Sequence, residues 1–514
     1  MKRKAYVLKI ALFATGLSGI VSEYILATLA TYFLGNSVLQ WTLTISLMLF
    51  FMGVGARITK FVEKHLFTWF VAIELLLSFL VSFSAVSTYG LAGLNDFIVI
   101  WIYGLAILTG TLIGMELPLA VRLNEKFEVL KTNVSSILEK DYYGSLVGGL
   151  FFAFVGLPYL GLTYTPFILG GINLLVAIAL LNFFPEIISK RRRLLLNIAA
   201  IITLGVVLLF LFNAPKIILY GQQKKYLDKV VYEEQTAYQK IVITQFKDNY
   251  WLYLNGNLQF SSFDEPLYHE VLVHPAMQLT KVAKEVLILG GGDGCAVREL
   301  LKYQGIEKIT LVDLDPGMTA LGKEHPIIRR INEEALDDPR VEVINIDAFR
   351  FLEKEMRFYD LIIVDLPDPR SVELSRLYAY EFYRLCYQHL RPQGALITQA
   401  GSPYFAPEAF KCIQETMKEA GFCVQPMHNQ VVTMGEWGWV IGSKAIKEQA
   451  VLLKKLRAVD FSNVETQWIN QEAMMMITSF GKGYFEGTKD SIKINYIEDP
   501  VLQRYYLNGS WEMY

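Results

Sequence analysis

Residues 287–300, LILGGGDGCAVREL, decide the fold of the second half of the chain. The apolar run Val286–Leu289 suits a parallel strand buried on both faces, and a helix is predicted from about Ala296 to Tyr303. A strand, a glycine-rich turn and a helix in this order are typical of a nucleotide site in a doubly wound α/β sheet. Such turns usually bind a phosphate group, yet this one contains the carboxylate of Asp293.

Four further strands are predicted downstream, and three of them are followed by an aspartate. The strands span 308–312, 341–346, 361–364 and 394–398. The aspartates are Asp313, Asp347 and Asp365. Ligands of open α/β sheets bind at the carboxyl ends of the strands, so these carboxylates are predicted to line one crevice. Asp313 follows Asp293 by 20 positions and is expected to accept hydrogen bonds from both hydroxyls of a ribose.

A small antiparallel β module is predicted ahead of this sheet, at about residues 220–265. Residues 238–246 alternate in the manner of a strand, and after a turn residues 250–254 form a second one. The segment DEPLYHEVLVHPAM (264–277) is expected to open a helix behind the module.

The first half of the chain is far more apolar than the second. Of the 514 residues, 53% are hydrophobic, and the long apolar runs lie within residues 1–213. A membrane span needs about 20 mostly apolar residues. Seven candidates are found, near 8–34, 39–56, 69–88, 97–119, 143–160, 162–184 and 194–212. The sequence therefore predicts a multi-pass α-helical membrane domain of about seven helices.

The distribution of Lys and Arg predicts the orientation of these spans. The N-terminus and the second, fourth and sixth connections are basic, whereas the other three carry no Lys or Arg. This alternation favours a cytoplasmic N-terminus, and seven spans then put the second half outside the cytoplasm. If the fifth segment were re-entrant, the second half would lie in the cytoplasm, but the basic sixth connection would then lie outside, against the charge rule. The sidedness therefore stays open.

Three glutamates, Glu23, Glu74 and Glu116, fall within the candidate spans. Ionisable groups at such depth are costly and often functional. Hydrogen bonding between helices, an interfacial position and a path for a cation are all compatible with the sequence.

Charge and cysteine content exclude several classes of function. The formal net charge is −2, and no basic patch with interleaved aromatic residues indicates nucleic-acid binding. All four cysteines lie in the second half, without a CxxC pair. They are predicted to be free, mostly buried thiols, and no metal site is predicted.

The carboxylate of Asp293 limits the kind of nucleotide that the glycine turn can bind. A phosphate-bearing dinucleotide would be repelled, so a nucleoside with a cationic tail is expected. S-adenosylmethionine also ends in a carboxylate, whereas decarboxylated S-adenosylmethionine ends in an ammonium. Asp293 is therefore expected to select the decarboxylated compound by charge.

Seven segments of the second half resemble the polyamine aminopropyltransferases, the family of spermidine synthase. They are YQKI (238–241), NGNLQ (255–259), DEPLYHEVLVHP (264–275), LILGGGDGCAVRELLK (287–302), VDLD (312–315), IDA (346–348) and DLPDP (365–369). The resemblance implies a small β domain followed by a methyltransferase-like Rossmann domain. The apolar first half resembles that of membrane-bound bacterial members.

The resemblance also implies roles for individual residues. Asp365 is expected to be the catalytic proton acceptor. The donor is expected to contact Gln239, Asp313, Asp347, Ala348, Gly290 and Gly292. The polyamine is expected to contact His269, Asp293, Asp368 and Gln259, with Tyr378 and Gln399 as secondary contacts. Decarboxylated S-adenosylmethionine would be a co-substrate, with no permanently bound cofactor and no metal.

The segment DLPDPRSVELSRLY (365–378) departs from the usual family pattern, with Arg370 where glycine or proline is commoner. Putrescine is the expected acceptor, but this departure lies in the loop that is expected to control entry of the polyamine. An S-adenosylmethionine-dependent methyltransferase and a polyamine sensor or transporter remain alternatives.

The predicted division is 1–213 membrane domain, 214–285 β module, 286–445 Rossmann-like domain and 446–514 C-terminal extension. Membrane lipid and a polyamine are the expected partners, and the family implies a homo-oligomer.

Overall fold

The computed structural model describes residues 2–35, 37–92, 95–125, 130–280, 282–485 and 492–511. The chain forms two compact units, which divide between Val230 and Val231. The first unit is helical, and the second contains both sheets.

The first unit contains seven α-helices in its described part. They are α1 (Lys2–Leu34), α2 (Ser37–Ile58), α3 (Leu66–Gly90), α4 (Asn95–Asn124), α5 (Leu130–Phe151), α6 (Gly161–Phe183) and α7 (Lys190–Lys225). A π-helix, Phe152–Leu160, joins α5 to α6 and contains Pro158. Counted as continuous segments, six are long and apolar enough to cross a membrane, and one of these is the 52-residue stretch Thr132–Phe183.

The chain reverses direction between α5 and α6. Helix α5 runs parallel to α1, because Gly144 lies against the backbone of Phe13 and Gly148 against that of Leu17. Helix α6 runs antiparallel to α3, with Gly170 against Ser82 and the ring of Phe184 on Phe67. Since the ends of α1 and α3 meet where Phe33 packs on Tyr89, α1, α3 and α5 share one direction and α6 has the other. The 52-residue segment therefore contains both of the predicted fifth and sixth spans.

The three glutamates of this unit are buried inside the bundle. Glu23, Glu74 and Glu116 are 6%, 0% and 4% exposed. Glu116 lines a small cavity together with the side chains of Ser18 and Asn173. The three glutamates lie in α1, α3 and α4, which correspond to the first, third and fourth candidate spans.

The second unit begins with a four-stranded antiparallel sheet in the order β1-β2-β3-β4. Its strands are β1 (Lys229–Gln235), β2 (Lys240–Phe246), β3 (Asn249–Leu254) and β4 (Asn257–Ser261), and helix α8 (Pro266–Thr280) follows. The predicted β module and the helix behind it are confirmed, and β1 and β4 are additional strands.

The larger sheet has the order β10-β11-β9-β8-β5-β6-β7. Its strands are β5 (Glu285–Gly290), β6 (Lys308–Asp313), β7 (Val341–Asn345), β8 (Tyr359–Asp365), β9 (Leu390–Gln399), β10 (Cys423–Val431) and β11 (Gly435–Ser443). β5 to β9 pair in parallel, whereas β11 and the edge strand β10 are antiparallel. This arrangement confirms the predicted Rossmann-like fold, and all five predicted strands lie within it.

Ten short helices complete the described part of the second unit. They are α9 (Cys295–Leu301), α10 (Pro316–Glu324), α11 (Pro326–Ile331), α12 (Ala348–Lys354), α13 (Val372–Ser375), α14 (Tyr380–His389), α15 (Pro407–Glu419), α16 (Gln449–Arg457), α17 (Gln471–Ile477) and α18 (Leu502–Leu507). Helices α16 to α18 come from the predicted C-terminal extension. Leu452, Met474 and Leu502 are fully buried, so this segment completes the hydrophobic cores of the unit.

Strands β5 and β8 approach each other closely at their carboxyl ends. Gly290 pairs with Asp365, and a Cβ on Gly290 would lie 1.9 Å from the carbonyl oxygen of Asp365. Gly290 also has a φ of +89°, a conformation that glycine adopts at little cost. Only glycine fits this position of the nucleotide-type turn.

We therefore predict that Gly290→Ala destabilises the protein by about 3 kcal/mol or more, because a clash adds to the cost of a positive φ. Gly305→Ala is the matched control, since a Cβ there meets no atom within 4 Å. Thermal unfolding of both full-length variants in detergent measures the difference. Equal unfolding temperatures would contradict the close approach.

Candidate active site

The glycine-rich turn brings two aspartates and a histidine together at the carboxyl end of β5. One side-chain ligand atom each from His269, Asp293 and Asp365 lies within 4.8 Å of the others. His269 comes from α8, Asp293 from the turn itself and Asp365 from the end of β8. The strand-end position predicted for Asp365 and the turn position of Asp293 thus converge on one place, here called the acid cluster.

Asp365 is fixed by two neighbours, one at its carboxylate and one at its backbone. Its Oδ1 accepts a hydrogen bond of 2.7 Å from the hydroxyl of Tyr268, and its backbone oxygen accepts one of 3.1 Å from the amide of Gly291. Burial raises the pKa of Asp365, and the nearby charge of Asp293 raises it further. A carboxylate with a raised pKa is a better proton acceptor, which suits a general base.

Asp293 both binds the start of the helix that follows the turn and adds a negative charge to the acid cluster. Its Oδ1 accepts a 2.8 Å hydrogen bond from the backbone amide of Cys295 at the start of α9. The same oxygen lies 4.0 Å from Nε2 of His269. The carboxylate in the glycine turn is therefore held by the helix that follows, while its charge faces the acid cluster.

His269 is part of a line of alternating charges. Its Nδ1 lies 2.7 Å from Oε2 of Glu265, and both oxygens of Glu265 accept hydrogen bonds from Arg298. Although burial by itself lowers the pKa of His269, Glu265 raises that pKa to about 9. A protonated His269 offsets the charges of Asp293 and Asp365. It is thus a counter-charge to the acids, and its predicted contact to the polyamine stays a prediction.

Residues that are predicted to bind the donor form a second group around β6. Asp313 accepts hydrogen bonds from the backbone amides of Gly292 at 3.1 Å and Asp315 at 2.8 Å. Burial raises the pKa of Asp313 to about 6. A Cβ on Gly292 would lie 2.7 Å from Oδ2 of Asp313, so the glycine permits this contact.

Gln239 and Asp347 are engaged by neighbours that the sequence did not indicate. The amide of Gln239 donates to Oδ2 of Asp315 at 2.9 Å. Asp347 accepts from the backbone amide of Arg350 at 3.0 Å and forms an ion pair with Arg376. Ala348 is buried beside it. Their roles toward the donor stay predictions.

The remaining predicted residues brace the loop after β8 or contact their own strand. The hydroxyl of Tyr378 and the amide of Gln399 donate to the carbonyl oxygen of Leu366, at 2.9 Å and 2.8 Å. The amide of Gln259 donates to backbone oxygens of Asn257 and Leu258. Asp368 accepts hydrogen bonds from Tyr506 and Arg370.

The four cysteines are free, and Cys295, Cys386 and Cys412 are buried, as predicted. Glu265, His269 and Cys295 lie close enough together to hold a metal ion. Two observations disfavour this use of them. Arg298 already occupies Glu265, and burial raises the pKa of the Cys295 thiol well above its usual range.

Three comparisons with known proteins identify similar sequences and a similar structure. The profile of the spermine/spermidine synthase domain matches residues 265–455. Polyamine aminopropyltransferase 2 of Aquifex aeolicus (strain VF5) is 42% identical over 506 residues, which cover 97% of this chain and 98% of that protein. The polyamine aminopropyltransferase of Oceanobacillus iheyensis is 39% identical over 504 residues, with 96% of each chain covered. A crystal structure of spermidine synthase with the transition-state analogue AdoDATO is 28% identical, with a TM-score of 0.45, and covers 49% of this chain and 85% of that one.

The arrangement defines a transferase with a Rossmann-like catalytic unit. The chain belongs to the polyamine aminopropyltransferases, and it is an enzyme of the spermidine synthase type.

The state of His269 generates a prediction about stability. Because its folded pKa of about 9 exceeds the unfolded value of about 6.5, its contribution is complete below pH 6.5 and is lost as the pH rises through 9. His269→Gln should therefore destabilise the protein at pH 7, and this difference from wild type should shrink by up to about 3 kcal/mol by pH 9.5.

Urea unfolding at several pH values measures this difference. His325→Gln is the control, because burial lowers the pKa of His325 and its effect should be constant above pH 7. A difference for His269→Gln that is independent of pH would mean that the imidazole is neutral.

Proposed function

We propose that the enzyme transfers the aminopropyl group of decarboxylated S-adenosylmethionine to putrescine, giving spermidine and methylthioadenosine. The observation that carries this proposal is the acid cluster, in which Asp293 and Asp365 meet beside the donor residue Asp313. Two carboxylates at this place suit a donor and an acceptor that are both cationic.

The reaction is an in-line displacement. The amine nitrogen of the acceptor attacks the methylene carbon next to the sulfonium, so a C–N bond forms and the C–S bond breaks. The electron pair of that bond goes to sulfur, and methylthioadenosine leaves as a neutral thioether. Asp365 accepts the proton that the amine loses.

The acceptor amine needs this help because an aliphatic ammonium has a pKa of about 10.4 and is inert while protonated. Asp365 is oriented by the hydroxyl of Tyr268 and its raised pKa favours proton acceptance. Holding two cations in line against their mutual repulsion accounts for much of the expected acceleration. Asp293 is left to pair with the ammonium of the donor.

The alternatives are less well supported. A methyltransferase would bind intact S-adenosylmethionine, whose carboxylate Asp293 would repel. A binding-only sensor would not require a proton acceptor with the environment of Asp365. The relatives compared above are named aminopropyltransferases.

The test of this function is methylthioadenosine formation by the full-length protein in detergent with putrescine. We expect turnover with decarboxylated S-adenosylmethionine and none with the intact compound. Asp365→Asn should lower kcat by at least about 100-fold, because general base catalysis is lost. Asp248→Asn, an exposed aspartate in the turn between β2 and β3, is the control. Formation of S-adenosylhomocysteine from the intact donor would instead indicate a methyltransferase.

We infer that the first unit anchors the enzyme in the cell membrane as a multi-pass domain, in contact with lipid, and that the protein is a homo-oligomer. The membrane proposal is supported by the six long apolar segments and by the charge alternation of the connections. Because the chain reverses direction between α5 and α6, the segment Thr132–Phe183 would cross the membrane twice. The proposed number of crossings is then seven, which is odd.

A reporter fused after residue 514 tests the sidedness. We expect alkaline phosphatase to be active there and green fluorescent protein to be dark, because an odd number of crossings separates the two termini. The opposite result would make the fifth segment re-entrant and would place the catalytic unit in the cytoplasm.

A further inference from the structure

The C-terminal segment reaches the acceptor side of the active site. The hydroxyl of Tyr506, in α18, donates a 2.6 Å hydrogen bond to Oδ2 of Asp368. Asp368 lies three residues after Asp365 in the loop that follows β8. A residue 138 positions away along the chain therefore fixes a carboxylate next to the proposed proton acceptor.

Arg370 shares this contact. Its Nη2 donates to Oδ2 of Asp368 at 3.3 Å and to the hydroxyl of Tyr506 at 3.1 Å. The guanidinium also lies over the rings of Tyr506 and Trp511, 5.4 Å and 5.9 Å from their centroids. Aromatic faces attract such a cation, so these rings favour one position of the guanidinium.

The segment that carries Tyr506 is firmly attached to the catalytic unit. Asn495 is fully buried, and its side-chain amide donates to the carbonyl oxygen of Ser375 at 2.8 Å. Trp511 stacks on Tyr506 at 4.7 Å and donates from its indole nitrogen to the carbonyl oxygen of Tyr506 at 2.7 Å. Tyr506 itself is 2% exposed, so its hydroxyl is a fixed partner for Asp368 and Arg370.

The contacts use only one oxygen of Asp368. Tyr506 and Arg370 both donate to Oδ2, and within the described ranges of the chain no group donates to Oδ1. Asp368 thus keeps an acceptor oxygen for a ligand ammonium, while a fixed guanidinium stands beside it.

We propose that Arg370, positioned by Tyr506 and Trp511, ends the acceptor site and excludes polyamines longer than a diamine. This inference rests on the proposed function. A diamine with its reactive nitrogen at Asp365 places its second ammonium at Oδ1 of Asp368 and extends no further. A triamine carries an additional cationic nitrogen past Asp368, where the charge of Arg370 repels it. Selection against the longer acceptor is thus a matter of charge as well as space.

The test compares putrescine with spermidine as acceptor for the full-length enzyme, at a saturating concentration of donor. For Arg370→Gln, the ratio of kcat/KM for spermidine to that for putrescine should rise at least about tenfold, since a neighbouring like charge costs a bound cation about 1.4 kcal/mol or more. Tyr506→Phe should raise the same ratio to a smaller extent, because the aromatic ring stays while the hydrogen bonds are lost.

Arg391→Gln is the matched control, since Arg391 is an exposed arginine that pairs with Asp360 and Glu285. Its acceptor ratio should equal that of the wild type. The KM for the donor should be the same in all variants, which separates a specificity effect from general loosening of the fold.

The outcomes distinguish this inference from the proposed function. If the wild type transfers the aminopropyl group and Arg370→Gln leaves the ratio unchanged, Arg370 does not limit the acceptor. If the wild type forms no methylthioadenosine with either amine, the proposed function itself fails.

Discussion

The active site depends on the charge of His269. Asp293 and Asp365 lie side by side in a partly buried place, where two carboxylates repel each other. Protonated His269 offsets this repulsion, Glu265 keeps it protonated, and Arg298 in turn balances Glu265. Charges thus alternate from α9 through α8 to the acids, and the substrate ammonium of the proposed function would continue the series. The fold produces this alternation of charges because it places α8 beside the glycine-rich turn.

Part of this site could be predicted from the sequence, because strand ends in a parallel sheet share one edge. Asp313 and Asp365 follow apolar strands directly, and the GGGDG turn marks Asp293. Glu265 and His269 are four residues apart, a spacing that puts both on one helix face and could have revealed their pairing. Tyr268 lies next to His269 in the segment 264–275, which resembles the family. Its contact to Asp365 nevertheless depends on the tertiary packing of α8.

The C-terminal contacts had no signal in the sequence. Tyr506 lies in an aromatic-rich segment without a periodic pattern, and Arg370 stands in a loop that only departs from a family pattern. Their meeting at Asp368 depends on how Asn495 attaches the segment to the residues around Ser375. The reverse is true of Gln239 and Asp347. The sequence indicated both of these residues, but it did not indicate their hydrogen-bond and ion-pair partners Asp315 and Arg376. A motif indicates chemistry, whereas hydrogen-bond partners follow from the fold.

The parallel pairing of α1 with α5 has a consequence for the order in which the first unit assembles during synthesis. The glycine faces of α5 that contact Phe13 and Leu17 appear only after about 100 further residues have been translated. At about 5–20 residues per second, α1 waits about 5–20 seconds for this partner. The polar side chains of α1 therefore spend that time without their final neighbours. The early bundle must rely on α2 and α3 to shield them until the later helices arrive.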